Sequence, residues 1–139
     1  MALDIPGISE RRQTPRFEVD LPVDLVLEDG TILPVQATNL SSTGMLIYCD
    51  SWVTDEIEPR GIQNHSISHI RFKAITELNI GDIRKKLYAR CRIMSVQRMS
   101  QDEFRLNLAF VDFENGSESV LDAFLDTFMH KKTETRHLA

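Results

Sequence analysis

The side chains best suited to chemistry fall in two short stretches. "ERRQTPRF", residues 10–17, carries Arg11, Arg12 and Arg16. Arg12 and Arg16 stand four apart, and Pro15 between them blocks a regular helix across the gap. Each guanidinium can grip a phosphate, or the O6/N7 side of guanine, through two parallel N–H bonds. Alone the spacing says little: at average composition it arises in on the order of one in three chains of this length. The second stretch is "NLSSTG", residues 39–44. Asn39 offers a carbonyl acceptor and amide donors, and Ser41 a hydroxyl that donates and accepts. Gly44 permits a backbone conformation or a close approach that a Cβ would forbid. Those groups can read a guanine from a tight turn between strands, and taken alone they are equally those of a polar β-turn.

Other chemistry is harder to build from these residues. The chain shows no nucleophile–base pair, glycine-rich phosphate loop or paired-carboxylate motif, so an enzyme is not expected. His65 and His69 would share a face only on a helix, which Ser66, Ile67 and Ser68 disfavour; with no third ligand nearby, neither metal nor cofactor is expected. Cys49 and Cys91 have no CxxC spacing, lie in apolar stretches and read as buried reduced thiols. A net charge of −5 argues against a broad grip on a nucleic acid polymer or an anionic membrane. It leaves room for a local basic pocket.

The arginines and the turn need a frame. Phe17, Val19, Leu21, Val23, Leu25 and Leu27 alternate at period two, a strand signal. Pro22 removes one backbone donor, which favours an edge position or a bulge. Asp29-Gly30 marks a hairpin into a second strand, about residues 32–38. "MLIYC" (45–49), "HIRFKAI" (69–75), "LYARCRIMSVQ" (87–97) and "FRLNLAFVDF" (104–113) supply four more strand-like runs, punctuated by "NIGD" and "MSQDE". Residues 50–68 are polar and long for a compact β domain, which suggests an insertion or long loop. Trp52 within it would anchor the loop to the barrel or meet a partner. The period then changes: Val120, Leu121, Phe124, Leu125, Phe128 and Met129 share one face of a helix, capped by Asn115 or Ser117. Strands plus one closing helix make a mainly β fold, a small antiparallel barrel. The 139 residues read as one domain at 10–130 between a loose tail at 1–9 and a basic tail at 131–139. No run is long and apolar enough to span a membrane and no signal peptide is evident, so a cytoplasmic protein without membrane insertion is expected.

The paired motif, R-x-x-x-R at the entry to the first strand and N-x-S-x-x-G between the second and third, resembles the PilZ domain family over about residues 10–130. The resemblance implies a six-stranded antiparallel barrel with a C-terminal helix that binds cyclic diguanylate. It implies that Arg12 and Arg16 grip guanine and phosphate from an N-terminal arm. Asn39 and Ser41 would hydrogen-bond the base, and Gly44 would hold the turn. Arg11, where some members have an arginine, is either a solvated charge or a grip on a second ligand molecule, giving two per site. The family also uses Asp in place of Asn39, and a carboxylate accepts two hydrogen bonds where a carboxamide oxygen gives a weaker hold. Glycine more often stands where this chain has Asn107.

The reading is a stand-alone receptor and adaptor: ordering of residues 10–17 on the barrel creates or hides a surface for an effector protein. The helix face is wide enough to leave room for a homodimer. The rival is a member of the same fold that has lost the ligand and acts as a protein–protein adaptor.

Overall fold

The computed structural model describes residues 15–138, with side chains as far as Met129. The elements run β1 (Phe17–Val26), β2 (Ile32–Leu40), β3 (Gly44–Asp50), α1 (Ser51–Ile57), β4 (Arg71–Ile80), β5 (Ile83–Arg98), β6 (Glu103–Glu114) and α2 (Ser117–Leu138). The strands form a closed antiparallel barrel in the order β1-β2-β3-β6-β5-β4. The expected mainly β, six-stranded architecture with a C-terminal helix is the one observed.

Alternation decides what is inside. Leu25, Leu33, Met45, Ile47, Leu78, Leu87, Leu106 and Leu108 point inward and are essentially inaccessible. Full burial of such a side chain contributes about 1.5–3 kcal/mol each, so the barrel interior dominates stability. The hairpin at Asp29-Gly30 is built as its sequence demands: Gly30 takes φ +94°, and the Thr31 amide donates to Asp29 Oδ1 at 2.9 Å. Pro22 sits just after a register shift between Glu18 and Leu21 and ahead of the three-residue β1–β4 ladder. There its missing N–H breaks no β1–β4 rung, and its carbonyl accepts from Thr76 Oγ1 at 2.8 Å.

Helix α2 lies against β4, β5 and β6 and buries Leu121, Phe124 and Leu125. Ser117 does more than open it. Its Oγ accepts from the Tyr88 amide at 2.7 Å, fixing the helix start to β5. Phe128 stacks on Phe17 with ring centroids 5.2 Å apart, so the first residue of β1 is tied to the helix. The helical backbone continues to Leu138, beyond the residue 130 at which the sequence suggested a tail.

Residues 50–68, expected as an excursion, fold back onto the barrel. Asp50 caps α1 by accepting from the Val53 amide at 3.1 Å. Val53 and Ile62 enter the core, whereas Trp52 is 55% exposed and is not the anchor. After the helix, Glu58 is nearly covered and its carboxylate receives Arg60 Nε at 3.0 Å and Arg60 Nη2 at 2.8 Å. These bonds, with smaller help from His65, hold the Glu58 carboxyl at about 2 against an ordinary 4.5. A depressed carboxyl contributes stability that is full above its unfolded value and lost as pH falls through its folded value. The melting temperature is therefore expected to drop between about pH 4.5 and pH 2, and less steeply in Glu58→Gln. Parallel profiles for the two proteins would show that this ion pair does not couple to folding.

Candidate ligand-binding site

Strand register places Asn39 and Asn107 on one outer patch of the barrel. Asn39 pairs with Leu46, Leu46 with Asn107, and Asn107 with Ser95, so these four form a row across β2, β3, β6 and β5. The next row runs Gln36, Tyr48, Arg105, Gln97. Neighbouring strands lie about 4.8 Å apart, so Asn39 and Asn107 stand roughly 10 Å from one another. A register shift between Ala37 and Asn39 lets Asn39 face outward although Ala37 is buried.

Arg16 precedes β1 and reaches across this patch. Its Nη2 donates to Asn107 Oδ1 at 3.2 Å, joining residues 91 positions apart. Together with Leu46, Ser95, Gln97, Arg105 and Asn107 it lines a cleft of about 240 Å³. Neither Arg16 nor Arg105 forms an ion pair with a carboxylate among the described residues. Two guanidiniums with no counter-charge in one cleft make a natural seat for an anion.

The turn from Ser41 to Gly44 bounds the site. Ser41 is fully buried and its hydroxyl faces inward: Oγ accepts from the amides of Thr43 at 3.2 Å and Gly44 at 3.1 Å. The Ser41 amide donates to the Gly44 carbonyl at 2.9 Å, closing the turn, and the Phe110 amide donates to the Thr43 carbonyl at 2.9 Å, tying it to β6. Gly44 matters for space rather than for an unusual φ. A Cβ there would lie 2.1 Å from the Leu108 carbonyl oxygen on β6.

The structure thus brings Arg16 and Asn107 into contact, sets Asn39 in the same row, and uses Ser41 and Gly44 to build the turn beside them. Arg11 and Arg12 lie outside the described residues. Tyr48, Ser95, Gln97 and Arg105 escaped the sequence reading. The available signal was parity: Arg105 is two residues before Asn107 in "FRLNLAF" and so shares its face. Elsewhere Cys91 is buried as expected but Cys49 only partly so; burial, with Asp50 adding to it at Cys49, pushes each thiol up to about 12. No group of three His, Cys, Asp or Glu among the described residues is placed to hold a metal ion. No described helix is long and apolar enough to cross a membrane.

The PilZ domain profile matches residues 10–127, most of the chain and all six strands. The chain belongs to the PilZ domain family. Solved structures share the PilZ barrel at low identity. The Bacillus subtilis inhibitor of motility MotI/DgrA superposes with a TM-score of 0.64 at 15% identity, over 91% of this chain and 53% of its own. The PilZ domain of Escherichia coli YcgR, solved with c-di-GMP, gives 0.58 at 16% identity, over 93% of this chain and 99% of its own. The K. pneumonia MrkH–c-di-GMP complex gives 0.57 at 12%, over 93% of this chain and 56% of its own. This PilZ chain therefore spans about half the length of MotI/DgrA and of MrkH. No curated protein matches its sequence.

Proposed function

We propose that this PilZ protein is a receptor for cyclic diguanylate, which it binds without turning it over. Arg12 and Arg16 act as the gripping forks, Asn39 as the reader of the base, and Ser41 and Gly44 as the builders of the turn. In this reading Arg11 holds a second ligand molecule. The observation that carries this reading is the cleft in which Arg16, drawn over the sheet by Asn107, faces the outward row from Asn39 to Ser95. At about 240 Å³ the cleft is smaller than the ~300–1,000 Å³ usual for a small-molecule pocket. It can seat only part of a dinucleotide, so residues 10–16 must supply the rest of the enclosure.

That requirement suggests the output. Ligand binds the state with the arm folded over it and so shifts the population toward that state. Phe17, at the root of the arm, stacks on Phe128 of α2, so arm and helix are read together by an effector protein.

Calorimetric titration of cyclic diguanylate into the protein is expected to give micromolar or tighter binding, with two ligands per chain if Arg11 acts as proposed. Asn39→Ala should weaken it about tenfold, the value of a pair of hydrogen bonds to a base. A folded protein that gives no heat would leave the barrel as a ligand-independent adaptor. Consumption of the ligand during the titration would make it an enzyme.

A further inference from the structure

We infer that Arg105 is an additional anion-gripping residue of this site, taking a phosphate oxygen of the bound cyclic dinucleotide with Tyr48 as its support. The inference rests on the receptor reading above.

Three observations carry it. Arg105 lines the same cleft as Arg16, and no described carboxylate neutralises either. Its guanidinium is pre-positioned rather than waving in solvent: it stands 5.1 Å from the Tyr48 ring centroid and its Nη2 donates to the Tyr48 hydroxyl. A stacked guanidinium has already lost most of the rotamer freedom that binding would otherwise cost it. Third, Arg105 Nε is buried and makes no hydrogen bond. A buried donor without a partner is a cost, which the side chain relieves by turning to meet an arriving anionic oxygen. In the outward row Arg105 stands between Tyr48 and Gln97, neither of which carries a charge to balance it.

Position adds the class of ligand. Arg105 is one row along from Asn107, to which Arg16 is already bonded, so the two forks face one cleft from two rows. Forks arranged this way suit a ligand with more than one phosphate better than a mononucleotide.

The test is calorimetric titration of cyclic diguanylate into the full chain, into Arg105→Ala and into Arg105→Lys, each at low and at raised salt. Arg105→Ala is expected to bind at least about tenfold more weakly, the loss of one charge-assisted contact. Arg105→Lys keeps charge and stem but not the planar fork, so it should recover only part of the affinity. Wild-type affinity should fall more steeply with salt than that of Arg105→Ala, because screening acts on one charge contact fewer in the variant. If Arg105→Ala fails to fold, a weakened but folded Arg105→Lys carries the same conclusion. Wild-type affinity and salt response in a folded Arg105→Ala, or in Arg105→Lys should the alanine variant not fold, would overturn the inference while leaving the receptor reading standing. Absence of binding to the wild type would instead remove the receptor reading, and this inference with it.

Discussion

Arg16→Ala is expected to weaken cyclic diguanylate binding by about a hundredfold while leaving the melting temperature within a degree or two of wild type. The size follows from what the side chain can do. A guanidinium contributes two charge-assisted hydrogen bonds to a phosphate or a guanine, each about 1.5–3 kcal/mol, and some of that is offset by its bond to Asn107 in the free protein. A net of about 3 kcal/mol is a hundredfold in affinity. Stability should not follow, because Arg16 is exposed and that bond is its sole hydrogen bond among the described residues. Titration paired with thermal unfolding separates the two effects. A loss of affinity that tracked a loss of folding would mean that Arg16 holds the barrel together, not the ligand.

Gly44→Ala is expected to do the reverse, destabilising the fold by more than about 3 kcal/mol. An added methyl would meet the Leu108 carbonyl oxygen at 2.1 Å, and that atom is backbone of a strand paired on both sides, with Met45 of β3 and Ile93 of β5, unable to swing aside. Overpacking in a core that can adjust already costs about 1–3 kcal/mol, and here the strands themselves must separate. In a domain of this size, 3 kcal/mol lowers the melting temperature by roughly 10 °C or more. The separation would also move the Ser41–Gly44 turn, whose amides converge on Ser41 Oγ. Thermal unfolding followed by circular dichroism measures the effect. A Gly44→Ala protein as stable as wild type would show that the two strands are less tightly apposed than the structure has them.

These two residues illustrate what a single sequence discloses. The barrel was legible because its inner face is written at period two in Leu, Val and Ile, and because turns such as Asp29-Gly30 carry the residue that their backbone requires. The C-terminal helix was legible from its change of period. Helix α1 was not: it is seven residues long, and only the Asp50 cap and the buried Val53 distinguish it from loop. The site divides in the same way. The spacing of Arg12, Arg16, Asn39, Ser41 and Gly44 is local and visible. What Asn107 does is not, since its partner Arg16 is 91 positions away and only the closed sheet brings them together. Arg105 and Tyr48 meet across 57 positions for the same reason. Ser41 could be singled out but its hydroxyl could not be aimed, because whether it looks outward or into its own turn is settled by three-dimensional packing.

The ring of strands also limits how such a protein can speak to others. Because β1 pairs with β2 along most of its length and with β4 over Asp24–Val26, the described ring leaves backbone N–H and C=O groups unpaired chiefly along the rest of the β1–β4 seam. Docking by strand addition, the route open to proteins with an exposed sheet margin, is therefore confined to that one seam. Elsewhere a partner meets only side chains and the ends of the barrel, and at one end Pro15 and Phe17, Ser42 of the turn and α2 come together. Under the proposed receptor role, a messenger that rearranges a few residues there alters much of what the molecule has available to say.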